Sequence, residues 1–241
     1  MGDQNPAARA AGPEGVIKFT VGDYRNTGPL DQTEYECIEV YRARLWQLGL
    51  IGHSKQMDVG FGNISARRDG GGFVISGTQT GHKPALDGGD YVIVDRWDFG
   101  RNAVDCRGAC LPSSESLSHA ALYERPEIAA VIHVHSRPLW RALIREGALS
   151  TEEHIAYGSR QLYTRLAELA TGRITGDEGR YRGGQAPAGA RQPAGLEQPA
   201  GVPLIIVARG HQDGVYAAGH SLEETFGIIL KHVHAYQGRS A

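Results

Sequence analysis

The sequence predicts an α/β domain in which helices cover a mixed or antiparallel sheet. Helical patterns and short β-branched runs both occur along the chain, and they follow one another without a strict strand–helix alternation. A chain of 241 residues that is 41% hydrophobic is long enough for one large domain. We therefore expect a single domain over residues 31–241, preceded by an N-terminal extension over residues 1–30.

Four segments have the apolar spacing of amphipathic helices. They are residues 31–49, residues 114–123, residues 161–170 and a last helix that starts at Ser221. The first contains Thr33 and Glu36, and the last contains Ser221 and Glu224; both pairs have the spacing of a capping box. Pro126 should stop the second helix, because proline cannot donate a backbone hydrogen bond.

Short runs rich in β-branched residues predict the strands. These runs are Phe73–Ser76, Tyr91–Val94, Ala130–His135 and Val202–Ala208. Between Gly172 and Gly201 the composition changes to Gly, Pro, Ala, Gln and Arg without an apolar period. Such a segment buries too little apolar surface to offset its ordering entropy. We therefore predict a flexible surface insertion there, disordered between about Arg180 and Leu196.

The overall composition argues against several classes of partner and location. A net charge of −2 gives no electrostatic preference for nucleic acid or an anionic membrane. No apolar run approaches the ~18 residues of a membrane helix, and Met1–Gly15 lacks the apolar core of a secretory signal. The three cysteines form no disulfide framework, and no second pair follows the candidate metal pair Cys106 and Cys110. We expect a cytoplasmic protein with reduced thiols.

The strongest chemical signal is the segment His133-Val134-His135. Alternate side chains of a strand point to opposite faces, so both histidines share one face while Ile132 and Val134 face the core. An isolated histidine beside a core is usually structural, but a same-face pair favours metal binding. A catalytic zinc site needs a third protein ligand and an open position. The best candidate is His211, in a glycine-bounded loop after a predicted strand, although a solvated loop histidine is the alternative.

Glu115 follows Pro112-Ser113-Ser114 at the start of a predicted helix. A carboxylate there either complements the helix dipole or serves as an acid/base. The two serines and the free N–H groups of the helix end could bind an anion. The loop Ser76–Gly81 could present hydroxyls and backbone amides to the same anion, although it lacks the residue spacing of a Walker loop.

Together these segments resemble the class II aldolase/adducin family, which includes fuculose-phosphate and rhamnulose-phosphate aldolases and ribulose-phosphate 4-epimerase. The matching segments are Gly62-Asn63-Ile64-Ser65, Thr80-Gly81, Asp90-Tyr91-Val92, Pro112-Ser113-Ser114-Glu115, His119-Ala120, His133-Val134-His135 and Gly210-His211. They occur in the order that the family has, between residues 31 and 236.

The resemblance implies a three-layer α/β/α sandwich around a largely antiparallel sheet, assembled as a homotetramer with active sites between subunits. By the matching motifs, His133, His135 and His211 would hold zinc or another divalent transition metal, and Glu115 would be the catalytic acid/base. The residues implied to bind the phosphate of the substrate are Asn63, Thr80, Gly81, Ser113 and Ser114. The implied activity is a lyase reaction that cleaves or forms a carbon–carbon bond in a small hydroxy-ketone or sugar phosphate through a metal-stabilised enediolate.

Other functions stay open at this point. An epimerase, dehydratase or decarboxylase could use the same metal site, and an adducin-like binding module would have lost the chemistry. A cupin would need a carboxylate shortly after the histidine pair, where Ser136-Arg137-Pro138-Leu139 stands instead. Gln212-Asp213-Gly214 replaces the family's usual glycine after the third histidine, which makes Asp213 a candidate polar group near the metal.

Overall fold

A computed structural model of the protein describes residues 16–172 and 201–237. The strands are β1 (Thr20–Arg25), β2 (Gly52–Ser54), β3 (Val59–Phe61), β4 (Asn63–Arg67), β5 (Phe73–Ser76), β6 (Tyr91–Asp98), β7 (Ala103–Gly108), β8 (Ala130–His135), β9 (Leu204–Val207) and β10 (Gly214–Gly219). The helices are α1 (Gln32–Gln47), α2 (Ser116–Leu122), α3 (Arg137–Arg145), α4 (Arg160–Thr171) and α5 (Leu222–Gln237). The segment predicted to be disordered, residues 180–196, lies outside the described residues.

Within the described residues, eight strands form one mixed sheet in the order β1-β7-β6-β5-β4-β8-β10-β9. The edge strand β1 pairs with β7 in parallel, and the six other neighbouring pairs are antiparallel. The mixed sheet expected from the residue pattern is thus confirmed. Because β1 comes from the predicted extension, the sheet reaches across the boundary placed at residue 31; that division of the chain stays a prediction.

Hydrophobic side chains of the sheet belong to two clusters, because successive residues of a strand point to opposite faces. Phe73 and Ile75 pack into a cluster with α2 and α4, whereas Val74 packs into the other cluster with α1, α3 and α5. Ile132 and Val134 of β8 join that second cluster, as the strand pattern predicts. The histidines of β8 therefore project to the opposite side of the strand from this cluster.

The helix ends differ in part from the sequence predictions. The N-cap of α1 is Asp31, and no side chain caps this end, so the capping box assigned to Thr33 and Glu36 was wrong. At α5 the Ser221 hydroxyl accepts a hydrogen bond from the Glu224 N–H at 3.1 Å. Helix α3 was not predicted at all, although Ser136 is its N-cap.

The loops that carry the candidate site meet near one end of β8. An isolated bridge joins Gly77, directly after β5, to Pro112, just before α2. This bridge places the loop after β5 beside the serines that precede α2. None of the helices in residues 16–172 and 201–237 is both long and apolar enough to cross a membrane.

Candidate metal centre

Three imidazoles converge at one point. One ligand atom each from His133, His135 and His211 lies within 4.8 Å of the others, and the Nε2 atoms of His133 and His135 are 3.0 Å apart. Two nitrogen ligands of a tetrahedral zinc ion, at ~2.0–2.1 Å from the metal, are themselves roughly 3.3 Å apart. The donor set and its spacing therefore fit a divalent transition metal. In the described residues, no other group of three such side chains comes together.

A tight turn between β9 and β10 brings His211 to the pair. Its N–H donates to the Ala208 carbonyl at 3.1 Å, and its own carbonyl accepts from the Gly214 N–H at 2.9 Å. At Gly210 a Cβ atom would lie 2.0 Å from the Ile155 carbonyl oxygen, so only glycine lets the turn approach this closely. The glycine-bounded loop noted in the sequence thus has a steric cause.

His133 is held as a neutral ring. It is buried, and burial together with the neighbouring His135 and His211 lowers its pKa well below the ordinary value. Its Nδ1 lies 3.2 Å from the Val215 carbonyl oxygen. A neutral ring that donates from Nδ1 keeps the Nε2 lone pair, which is the state that binds a metal.

Glu115 lies in the same cleft as His133 and His211 and is only 2% exposed. The Tyr216 hydroxyl donates a hydrogen bond to its Oε2 atom. Its Oε1 atom is buried and has no hydrogen-bond partner among the described residues. Burial and the charge of Glu115 raise the pKa of Tyr216 well above its ordinary value, so the phenol stays protonated and can donate. One carboxylate oxygen is therefore fixed, and the other is available to a ligand.

The predicted phosphate residues all line this cleft. Asn63 is buried, and its Oδ1 atom has no hydrogen-bond partner in the part of the chain that is described. The Thr80 hydroxyl donates to the Gly77 carbonyl at 2.9 Å, so its proton is already in use. The Ser113 hydroxyl accepts from the Glu115 N–H at 3.2 Å. Contact with an anion at this loop would therefore come from backbone amides more than from the threonine hydroxyl.

Tyr157 forms one wall of the cleft, a position that was not predicted from the sequence. Its hydroxyl donates to the Ser114 Oγ atom at 2.5 Å, and its ring centroid lies 4.7 Å from that of His211. Lys18 donates to the Tyr157 carbonyl at 2.8 Å and lies 4.4 Å from the centre of its ring. Burial lowers the pKa of Lys18, while the charge of Glu115 opposes that shift.

Tyr216 and Lys18 were not predicted as site residues either. Tyr216 had no usable signal, because it lies on β10, which was not predicted, and only the antiparallel register of the structure sets it directly opposite His133. Lys18 had none, since it lies in the predicted extension. Asp213 does not belong to the metal cluster; its carboxylate lies 3.7 Å from the Arg137 guanidinium.

Comparison with known proteins gives the family. The sequence profile described as "Class II Aldolase and Adducin N-terminal domain" matches residues 44–237. The chain belongs to this family. Class II aldolases are typically lyases that depend on a divalent metal, and the histidine triad of this class II aldolase family member could hold such an ion.

Solved structures show the class II aldolase fold. YgbL from Escherichia coli, whose reaction is given only as aldolase, epimerase or decarboxylase, has a TM-score of 0.56 at 18% identity, over 86% of this chain and 87% of that chain. L-fuculose-1-phosphate aldolase from Thermus thermophilus has a TM-score of 0.51 at 18% identity, over 86% of this chain and 93% of that chain. A sugar-phosphate aldolase from Thermotoga maritima has a TM-score of 0.54 at 16% identity, over 86% of this chain and 94% of that chain. No curated protein sequence matches the chain.

Proposed function

We propose that this protein is a divalent-metal lyase that cleaves or forms a carbon–carbon bond in a small hydroxy-ketone or sugar phosphate. The observation that carries the proposal is the meeting of the histidine triad and the buried carboxylate of Glu115 at one cleft. The family implies small sugar-phosphate substrates. L-fuculose-1-phosphate aldolase, a structural relative, is named for such a substrate.

His133, His135 and His211 would hold the metal. Zinc is the first choice because three protein ligands with an open position are typical of catalytic zinc, although imidazoles also suit Mn, Fe, Co and Ni. When bound, a divalent cation polarises the carbonyl of the substrate and stabilises the negative charge that develops on its oxygen.

Glu115 would move the proton. In the synthetic direction its Oε1 atom takes a proton from the carbon beside the ketone carbonyl, and the electron pair of that C–H bond remains on the ketone as an enediolate. The enediolate carbon then attacks the aldehyde carbon, and the proton ends on the new hydroxyl group. Cleavage reverses these steps. The hydrogen bond from Tyr216 to Oε2 orients the carboxylate for this transfer.

The loop of residues 77–81, together with Ser113 and Ser114, would bind the phosphate. Asn63 would donate from its side-chain amide NH2 to the phosphate, while its Oδ1 atom, which faces no hydrogen-bond donor among the described residues, would accept from a hydroxyl group of the substrate. A phosphate held there fixes the substrate at a distance from the reacting carbons, which lowers the entropy cost of reaction.

We also infer a three-layer α/β/α arrangement, supported by the two hydrophobic clusters, and a cytoplasmic homotetramer that acts in carbohydrate metabolism. The family resemblance supports these points. Sedimentation of the purified protein would test the assembly, and a monomer at micromolar concentration would contradict it.

The function is tested by metal analysis combined with an aldol assay. The purified protein, loaded with zinc, is mixed with dihydroxyacetone phosphate and a panel of short aldehydes, and the products are identified by mass spectrometry. We expect an aldol product that disappears with a chelator, with His133→Ala and with Glu115→Gln. His234→Ala is the matched control, because His234 is exposed on α5.

Two results would contradict the proposal: bound metal absent from the wild-type protein, or aldol activity that survives both chelation and His133→Ala. An epimerase, dehydratase or decarboxylase is the second candidate. The likeness to YgbL favours the epimerase and the decarboxylase among these. Product identification separates them, since only an aldolase releases two carbonyl fragments.

A further inference from the structure

Arg42 is a fully buried arginine directly behind the loop that lines the cleft. It lies on α1 and is only 1% exposed. Its Nη2 atom donates to the Thr80 carbonyl at 2.9 Å, and its Nη1 atom donates to the Lys83 carbonyl at 2.5 Å. From the same helix, the Trp46 indole N–H donates to the Gly81 carbonyl at 3.1 Å. Side chains of helix α1 therefore donate hydrogen bonds to three backbone carbonyl groups of this turn, those of Thr80, Gly81 and Lys83.

The contact between Arg42 and Thr80 acts on a peptide group beside the cleft, since Thr80 and Gly81 both line it. The carbonyl of Thr80 and the N–H of Gly81 belong to one planar trans peptide, so they point in opposite directions. Gly81 lines the cleft, and among the described residues its N–H donates no hydrogen bond. A cationic donor on the carbonyl polarises the peptide and makes the N–H at the other end a stronger donor.

The position of this peptide is fixed on the side away from Arg42. At Gly81 a Cβ atom would lie 1.9 Å from the Gly52 carbonyl oxygen. The loop is thus held between the β2–β3 hairpin and α1, and this peptide group has little freedom to turn.

The charge of Arg42 is not neutralised by direct contact. Glu39 and Asp90 act on it electrostatically, but it forms no ion pair within the described part of the chain. The Glu39 carboxylate accepts from the Tyr91 hydroxyl at 2.6 Å, and the Asp90 carboxylate accepts from Lys83 Nζ at 2.6 Å. Although burial lowers its pKa, an arginine remains protonated near neutral pH.

We propose that Arg42 is a positioning residue that sets the affinity of the cleft for an anionic group of the substrate, acting through the Thr80–Gly81 peptide. The inference rests on the proposed function, and it deepens that function by tying substrate choice to a residue that never touches the substrate. A phosphorylated ketone would be preferred over its unphosphorylated counterpart because of this buried charge.

The test compares two ketones and one anion on the zinc-loaded protein. Hydrogen–deuterium exchange at carbon is followed by NMR with dihydroxyacetone phosphate and with dihydroxyacetone, and inorganic phosphate binding is measured by calorimetry. For Arg42→Met we expect a KM for dihydroxyacetone phosphate and a Kd for phosphate that are each about tenfold higher. The KM for dihydroxyacetone and the kcat should stay within about twofold of the wild type.

Two further variants separate charge from folding. Arg44→Met removes a charge from the exposed side of the same helix, and it should change neither ketone's KM. Arg42→Lys keeps the charge with a smaller set of donors. We therefore expect the KM for dihydroxyacetone phosphate and the Kd for inorganic phosphate each to rise about threefold, with the KM for dihydroxyacetone unchanged. If circular dichroism shows that Arg42→Met does not fold, Arg42→Lys decides the question.

Equal increases in KM for both ketones would overturn the inference. So would a phosphate Kd that is the same in the Arg42 variants and the wild type, or a wild type that does not bind phosphate. If the wild type exchanges neither ketone, the proposed function fails instead. In that case phosphate calorimetry on the wild type and the Arg42 variants still decides whether this residue controls anion binding.

Discussion

Tyr216 donates a hydrogen bond to the Glu115 carboxylate while its ring stacks on His133, with 4.2 Å between the ring centroids and 20° between the planes. One side chain thus contacts both the candidate acid/base and a candidate metal ligand. The contact exists because β10 pairs with β8 in a register that sets Tyr216 opposite His133.

Replacing Tyr216 with Phe should separate these two contacts. The ring and its stacking on His133 remain, but Glu115 Oε2 loses its donor, so we expect kcat to fall about tenfold or more with zinc content unchanged. Steady-state kinetics and metal analysis measure the two effects. Tyr41→Phe, on α1, is the control; an unchanged kcat in Tyr216→Phe would show that this hydrogen bond does not orient the carboxylate.

Metal binding should raise the thermal stability of the protein. A ligand that binds only the folded state at 100 times its Kd adds about 2.7 kcal/mol to the free energy of unfolding. We expect added zinc to raise Tm in the wild type and a chelator to reverse the shift. His211→Ala should remove most of it, because the cluster loses one of its three imidazoles. The same zinc shift in wild type and variant would contradict a role for His211.

The Gly81→Ala substitution should displace the cleft loop. The new Cβ would lie 1.9 Å from the Gly52 carbonyl oxygen, so backbone must move, and we expect the free energy of unfolding to fall by about 1–3 kcal/mol. Urea denaturation checks this. Gly70→Ala is the matched control, because a Cβ atom at that position would have no neighbour within 4 Å; equal stability of the two variants would count against the tight packing at Gly81.

The buried His119 should make the metal-free protein less stable in mild acid. Burial lowers its pKa to about 3 from an ordinary 6.5, and its Nδ1 lies 2.7 Å from the Ser65 hydroxyl. Below pH 6.5 the unfolded chain therefore takes up a proton at this site that the folded protein does not, so stability falls as pH falls. Between about pH 7 and about pH 5 this group should account for a loss of about 2 kcal/mol.

Urea unfolding at the two pH values measures that loss. We expect His119→Gln to be less stable at about pH 7 but to lose about 2 kcal/mol less than the wild type on acidification. His133, whose pKa is also lowered, contributes a similar slope in both proteins. His234→Gln, an exposed control, should behave like the wild type; an identical loss in His119→Gln and wild type would contradict the assignment.

Elements with strong local signals were predicted correctly. The strand Ala130–His135 and the helices α1, α2, α4 and α5 appear near their predicted positions, because side-chain periodicity and β-branching act over a few residues. The family was also identified from ordered short motifs, and the match over residues 44–237 confirms it. Strands β1, β2, β3, β4, β7 and β10 were missed, because pairing with neighbouring strands, more than their own composition, makes these segments strands.

The histidine pair follows from the amino-acid sequence alone, since two residues two apart on a strand must share a face. The local pattern also marked Glu115 and the glycine turn that carries His211. Which groups act on these residues depends on the tertiary fold: Tyr216 reaches Glu115 across 101 positions of the chain, and Arg42 reaches Thr80 across 38. Contacts of this kind depend on strand register and helix packing, which no local pattern of residues records.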